Sequence, residues 1–356
     1  MVDGSEAVVL PIDEFDDPSP MIFGVDLSVH RHGDEGGKRV LQHITIEYAT
    51  TAGRGCDSAR EYIIVGPTLD VVIERGDLFR AKLTVSGYGD FRKDIVLNER
   101  EARTGNSSLV QGSELLLIIP KTMRRIVCGA LSTYMNVCDF PHMHLETAGE
   151  FMANSTCLAS WTHLNGRVAC DTLVCRSMKI ENNTDEKIRL SDCVVMREAN
   201  IYSARGAVWM SGVVEARDFS IVTGSGSIYF AGKVVGERVK FQSSISSIMM
   251  GWVVQAKSLS ISTDASVTIK GFVDADLEVR TTEGHVQLMG YSGGGGRVFT
   301  KTGNVTVNQD GEMKKLTVTT INGSLMGVGT TQPEFLSAQG KNLFFLDDGR
   351  RNGIND

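Results

Sequence analysis

The residues best suited to bind a metal ion lie in the stretch "CDFPHMH", residues 138–144. Cys138, His142 and His144 offer the thiolate and imidazole ligands that Zn²⁺ prefers, and an extended strand would place both histidines on one face. A zinc site also needs a fourth position, for which the nearest candidates are Cys128, Cys157 and His163. Since spacing alone does not bring these residues together, the alternative is a junction loop between two differently built halves of the chain.

The cysteines as a group favour core packing over redox chemistry. The chain has 7 of them, six lie between Cys128 and Cys193, and their spacings form no paired C-x-x-C framework. Cys170 and Cys175 are five residues apart, which fits neither a redox motif nor a standard zinc finger. Since strand alternation also turns Cys170 inward, we expect buried free thiols and no cofactor.

Two further stretches contain residue types found in active sites. Asp264, Asp274 and Asp276 are the acids nearest to the outward carboxylates used by hydrolases and lyases built on β-helices. The regular spacing around them leaves no insertion to form a cleft, so a non-enzymatic protein is expected, with a carbohydrate-active hydrolase or lyase as the alternative. The stretch "GYSGGGGR", residues 290–297, lacks the Lys-Ser/Thr ending of a phosphate-binding loop and is interpreted as a turn.

A repeat of about 20 residues organises the C-terminal half of the chain. Each unit has two alternating runs joined by a small turn, as in "FSIVTGSGSIYFAG" at 219–232, and nine units are visible between about 158 and 328. The second runs start at Val208, Ile228, Ile248, Val267, Val286, Val305 and Leu325, in steps of 20, 20, 19, 19, 19 and 20. So constant a step is the signature of stacked supersecondary units.

Alternation decides which side chains of each unit point inward. In one unit Phe219, Ile221, Ile228 and Phe230 face the core, whereas Tyr229 faces outward. A unit of this size cannot bury its apolar face alone, so successive units must stack and form hydrogen bonds between coils. The sequence therefore predicts an all-β fold with a β-solenoid of about nine coils, since propeller blades need about 40 residues.

Two units share a motif with a known family. In "DLEVRTTEGHVQLMG" and "RVFTKTGNVTVNQDG", Thr-x-x-Gly-x-Val or Thr-Gly-x-Val joins two alternating strands. In this respect about half of the chain resembles the auto-transporter adhesin-like family of β-strand repeat proteins. The resemblance implies a β-solenoid with an adhesin-like role, and its motif is structural rather than catalytic.

The N-terminal half alternates without a fixed period. Runs such as "LQHITIEYA" and "RAKLTVSGYG" predict an irregular or sandwich-like β domain. Because a solenoid exposes strand edges at its ends, we expect this domain to cap one end and "PEFLSAQGKNLFFLDD" the other. The predicted organisation is an acidic disordered tail at 1–20, an N-terminal β domain at 21–140, the solenoid at 141–330 and a C-terminal cap and tail at 331–356.

The charge distribution argues against nucleic acid as a partner. The formal net charge is -7, and residues 1–20 carry six acids and no Lys or Arg, so the rest of the chain is nearly neutral. No apolar run approaches the roughly 20 residues of a membrane-spanning helix. Since no N-terminal signal segment is visible either, we expect a cytoplasmic location and no membrane span.

The outward positions of the second runs form a candidate interaction surface. Trp209, Tyr229 and Met249 fall on successive coils, with Trp252 close by in sequence. Aromatic residues and Met are enriched at interface cores, which predicts a protein partner or self-association, through this face or end to end. The alternative is that the N-terminal domain folds back over these residues. A glycan is a further candidate ligand.

Overall fold

The computed structural model describes most of the chain as β-strands joined by tight turns. The described residues are 22–30, 41–49, 61–88, 95–98, 100–105, 110–120, 123–135, 138–153, 157–251, 254–291, 295–308, 316–329, 336–339 and 342–347. The description is limited to the backbone at 22–30, 41–42, 138–143, 157–161, 328–329, 336–339 and 342–347. The chain divides into two compact units, Met1–Cys175 and Arg176–Asp356.

The first unit combines an antiparallel sheet with parallel stacking. Its strands are β1 Ile22–His30, β2 Leu41–Ala49, β3 Glu61–Arg75, β4 Arg80–Tyr88, β5 Ile95–Leu97, β6 Glu101–Thr104, β7 Val110–Ile119, β8 Arg125–Met135, β9 Cys138–Ala153, β10 Cys157–Asn165 and the first part of β11 Val168–Asn182. β1, β2, β4 and β7 pair antiparallel in that order. β7, β3, β8, β9 and β10 then pair in parallel, each with the next.

The core of the first unit follows from alternation along its strands. In β3, alternate residues are buried up to Gly66, and the pattern shifts by one position before Leu69. Tyr62, near the start of β3, packs against Phe79 with ring centroids 5.0 Å apart, and Phe79 packs against Tyr48 at 6.0 Å. The irregular half of the chain therefore has an aromatic core of its own.

The second unit is built from two parallel ladders. Its strands are β12 Ile188–Ser203, β13 Val208–Met210, β14 Val213–Thr223, β15 Ile228–Phe230, β16 Lys233–Ser243, β17 Ile248–Met250, β18 Val254–Thr263, β19 Val267–Ile269, β20 Val273–Thr281, β21 Val286–Met289, β22 Gly296–Thr300, β23 Val305–Asn308, β24 Leu316–Thr320, β25 Ser324–Gly329, β26 Leu336–Gln339 and β27 Asn342–Asp347. Odd-numbered strands from β13 to β27 form one ladder. Even-numbered strands from β12 to β26 form the other.

The inward side chains of these coils stack into a continuous core. The residues that start the second runs lie in register and are at most 1% exposed: Val208, Ile228, Ile248, Val267, Val286, Val305 and Leu325. Phe219 contacts the rings of Phe230 and Phe241, at centroid distances of 6.4 and 5.7 Å. Burial of each such side chain contributes about 1.5–3 kcal/mol, which a single coil cannot obtain without its neighbours.

Buried hydroxyl residues and glycines form the corners that follow the long strands. The hydroxyl residues are Ser203, Thr223, Ser243, Thr263, Thr281, Thr300 and Thr320. Thr300 Oγ1 donates to the carbonyl oxygen of Gly284 at 3.2 Å and accepts from the backbone N–H of Gly303 at 3.1 Å. A Cβ atom at Gly303 would lie 1.9 Å from the Gly284 carbonyl oxygen, so this corner requires glycine.

The predicted fold is confirmed: parallel coils recur about nine times between residues 125 and 327, after an irregular N-terminal β region. β26 and β27, within the predicted C-terminal cap, extend the two ladders. The tail predicted at 1–20 lies outside the described residues. Within the described part of the chain, no helix has the length and apolar character needed to cross a membrane.

Candidate interaction surface

Trp209, Tyr229 and Met249 form a column on the outer face of the short-strand ladder. They are the middle residues of β13, β15 and β17, and parallel pairing places Trp209 beside Tyr229 and Tyr229 beside Met249. Trp209 is 45% exposed and Met249 39%, while Tyr229 is partly buried between them. The structure therefore brings these three predicted residues together, and we call them the aromatic column.

The two rings of the aromatic column stack on each other. Their centroids are 4.7 Å apart and their planes meet at 37°. Two rings that lay side by side in one plane could not approach so closely, so part of each ring face is covered by the other. Such a pair adds about 0.5–1.5 kcal/mol beyond the area that it buries. The faces that the two rings turn towards each other are therefore closed to a partner.

Basic side chains lie at one end of the aromatic column. Lys187 Nζ is 5.6 Å from the centroid of the Trp209 ring, within the range of a cation–π contact. Arg189 is exposed in β12 and pairs in register with Trp209. The sequence did not predict that either residue lies beside the aromatic column, although Arg189 precedes Trp209 by one 20-residue repeat.

Polar residues follow the aromatic column on the next coils. Thr268, Gln287 and Thr306 continue the same row of positions and are partly buried. Met326 comes next and is 39% exposed. The continuous apolar part is thus limited to three coils. Trp252, the fourth predicted member, lies outside the described residues.

Of the metal candidates, His144 and the possible fourth ligand Cys128 differ in their exposure to solvent. His144 is exposed on β9, whereas Cys128 is buried on β8, where its Sγ lies 3.1 Å from Thr133 Oγ1. Cys128 is therefore unsuited to complete a site with His144. Only the backbone of Cys138 and His142 is described, so their role as metal ligands stays a prediction. Among the described residues, no three His, Cys, Asp or Glu side chains are grouped closely enough to hold a metal ion.

The described cysteines of both units are free thiols in the core. Cys128, Cys170, Cys175 and Cys193 are all buried. Burial raises the pKa of the Cys170 and Cys175 thiols from 9.0 to about 12, and that of Cys128 to about 11. Thiols so strongly held in the protonated form are poor nucleophiles and poor metal ligands.

Of the three acids considered for catalysis, Asp274 and Asp276 share the outer face of one strand, and Asp264 lies at a corner. Asp264, at the corner after β18, accepts a hydrogen bond from Thr282 Oγ1 at 2.6 Å. Asp274 and Asp276 are exposed on β20. Their partners in register on β18 are Gln255 and Ser258, so that strand offers no second carboxylate at either position.

A comparison with solved structures finds three that are each described as a "putative adhesin". One from Bacteroides fragilis is 10% identical, covers 85% of this chain and 96% of its own, and has a TM-score of 0.20. One from Parabacteroides distasonis is 13% identical, covers 85% of this chain and 97% of its own, and has a TM-score of 0.24. One from Parabacteroides merdae is 12% identical, covers 86% of this chain and 96% of its own, and has a TM-score of 0.22. At these values the likeness carries no inference about function.

A comparison with curated proteins finds no match. A family model does match residues 174–326, which run from β11 into β25 and include the whole aromatic column. The expected adhesin-like family of β-strand repeats fits this match, whereas the auto-transporter part of the expectation has no support in it. The family model that residues 174–326 match is described as Toastrack DUF4097.

Proposed function

We propose that the repeat domain is a rigid, non-enzymatic scaffold whose aromatic column binds a protein in an adhesin-like manner. The observation that carries this proposal is the exposure of Trp209 and Met249 in register with Tyr229 on successive coils. Hydrogen-bonded ladders hold these positions, so little conformational entropy is lost when a partner docks. Trp and Tyr are also the residues most enriched among those that dominate binding energy.

The stacking of the two rings favours a protein over a sugar at this surface. A sugar ring packs against an open aromatic face, but Trp209 is covered on one side by Tyr229 and approached by the Lys187 ammonium group. The exposed parts of the rings, together with the flexible Met249 side chain, suit the irregular apolar surface of a protein. With Lys187 and Arg189 beside them, they suit a partner that combines apolar with acidic side chains.

The acids on β20 are the groups that a carbohydrate-active enzyme on this domain would use. General acid catalysis on glycosides requires two carboxyl groups that flank one bond. Asp264 is already bonded to Thr282, whereas Asp274 and Asp276 lie two residues apart on the outer face of β20, beside neutral residues on β18. Screening of glycans for turnover, followed by Asp274→Asn, would reveal a carbohydrate-active enzyme.

Replacing both rings of the aromatic column tests the proposal. We expect Trp209→Ser combined with Tyr229→Ser to abolish partner capture or self-association, because it removes the apolar centre of the surface. Capture is measured by pull-down with the tagged chain from its native cell, and self-association by sedimentation velocity. Microscopy of the same tagged chain tests the cytoplasmic location, which stays a prediction.

A matched variant controls for general damage to the ladder. Gln287→Ser combined with Thr306→Ser changes two positions further along the same row and should leave association intact. Both variants should keep the far-ultraviolet circular dichroism of the wild-type chain, since all four side chains point outward. Association that survives loss of both rings, or a wild-type chain that neither captures protein nor self-associates, would contradict the proposal.

A further inference from the structure

A second surface feature of the repeat domain is a groove on the outer face of four long-ladder strands, β18, β20, β22 and β24. It consists of two adjoining recesses of about 510 and 620 Å³, which share Glu278, Arg297 and Thr317. Strands about 4.8 Å apart give it a span of roughly 14 Å across the coils. We call it the β18–β24 groove.

The groove arises because long side chains give way to short ones. On β16 the outward residues are Arg238, Lys240 and Gln242, and the residues paired with them on β18 are all serines, Ser258, Ser260 and Ser262. Gly295 and Gly296 leave a second gap at the start of β22, and Thr317 and Thr319 form the far side. The long side chains of β20 and β22 therefore stand between two low walls lined with hydroxyl groups.

Three of the charged groups in the groove, Arg280, Glu278 and Asp264, already have hydrogen-bond partners. Arg280 Nε and Nη2 both donate to Glu278 Oε1, at 2.9 and 2.6 Å. Asp264 accepts the hydrogen bond from Thr282. The remaining charged groups are the side chains of Arg297 and Asp276. Neither side chain forms a hydrogen bond or ion pair with the described part of the chain.

The free groups of the groove complement a sugar. Arg297 is a donor and Asp276 an acceptor, and a hydroxyl group both accepts and donates. Phe299, two residues after Arg297 on the same face, is 40% exposed and offers an apolar surface for the C–H groups of a pyranose ring. A few convergent polar groups around an apolar contact are typical of small-ligand sites.

The charged residues of the groove favour a neutral sugar over a polyanionic one. The groove contains Arg280 and Arg297 against Asp264, Asp276 and Glu278, two cations against three anions. This excess of acids disfavours nucleic acids and polyanionic glycans, which require a cationic surface. We infer that the β18–β24 groove binds a neutral oligosaccharide, with Phe299 against one sugar ring and Arg297 and Asp276 bonded to hydroxyl groups.

Calorimetric titration of the full chain with four neutral hexasaccharides tests this inference, namely maltohexaose, cellohexaose, laminarihexaose and chitohexaose. At least one of them should bind at millimolar concentration. Phe299→Ala and Arg297→Gln should each weaken that binding about tenfold or more, because each removes a principal contact. Both residues are exposed, so both variants should keep the wild-type circular dichroism.

A variant elsewhere on the domain serves as the control. Trp209→Ser combined with Tyr229→Ser should leave oligosaccharide affinity unchanged, since the aromatic column lies on the other ladder. The groove and the protein-binding column can therefore fail independently. The inference is overturned if no neutral hexasaccharide binds, if only hexagalacturonate binds, or if binding survives both groove substitutions.

Discussion

Cys170 and Cys175 illustrate how single residues link this core to pH. In the unfolded chain a thiol loses its proton near pH 9, whereas burial holds the folded pKa of these two at about 12. The folded state therefore retains protons that the unfolded state releases. Their contribution to the free energy of unfolding is complete below pH 9 and is lost as the pH rises towards 12.

We expect this loss to reach about 1.4 kcal/mol for each thiol by pH 10. Urea unfolding of the wild-type chain at pH 7, 8, 9 and 10 measures it. The stability of Cys170→Val combined with Cys175→Val should decline less steeply over the same range, because valine does not titrate at these two positions in either the folded or the unfolded chain. Equal declines in the two proteins would show that these thiols do not cause the alkaline loss.

At the scale of residues, strand alternation in the sequence predicts whether a side chain points into the core or towards solvent. It turned Cys170 inward and Tyr229 outward, and both are so placed. Alternation did not reveal the groove around Arg297 and Phe299. That groove depends on the short side chains of the neighbouring strands rather than on the types of these two residues. The signal was present as three alternate serines on β18 and a run of four glycines before Arg297.

At the scale of elements, one buried hydroxyl lies at the corner after each long strand from β12 to β24. Thr300 is wholly buried and is the hydrogen-bond partner of the Gly303 N–H. We expect Thr300→Val, which keeps the side-chain shape, to lower the free energy of unfolding by about 1–3 kcal/mol because that buried N–H loses its acceptor. Chemical denaturation of the purified chain measures the difference.

Thr306→Val is the matched control for the corner. Thr306 lies on the next strand, β23, but its side chain points outward and is partly exposed. Its replacement should change the free energy of unfolding by less than about 0.5 kcal/mol. If both valine variants were equally stable, the corner hydroxyl would have no special role.

The elements themselves were predictable only where they repeat. The second runs recur every 19 or 20 residues, so their starts indicate both the strands and their stacking order. In the first unit Glu61 pairs with Arg125 across four intervening strands, β4 to β7. No period marks such a partner, and alternation alone does not distinguish a sandwich from parallel stacking. The sequence therefore predicted strands there but not their pairing.

At the scale of the whole molecule, a solenoid should tolerate the loss of a complete coil. Deletion of residues 228–247 removes β15 and β16 and joins Ser227 to Ile248, so β13 can pair with β17 and β14 with β18 in the existing register. Because each coil contacts only its neighbours, we expect the shortened chain to fold with a small loss of stability. Circular dichroism and thermal unfolding measure this.

Removal of half a coil provides the contrast. Deletion of residues 228–237 would bring long strands against short ones and interrupt both ladders, so that variant should lose its β-sheet spectrum or aggregate. Equal behaviour of the two deletions would mean that the coils are not independent stacking units.

The corner that follows a long strand differs in length between coils, whereas the same core positions stay buried. Four residues lie between Ser243 and Ile248, but only three lie between Thr263 and Val267, and Ile248 and Val267 are both fully buried. The chain can thus change length at a corner without altering which side chains it buries. For protein engineering, this makes the corner at 244–247, where Ile245 is already 65% exposed, the natural site for grafting an epitope or a reporter peptide.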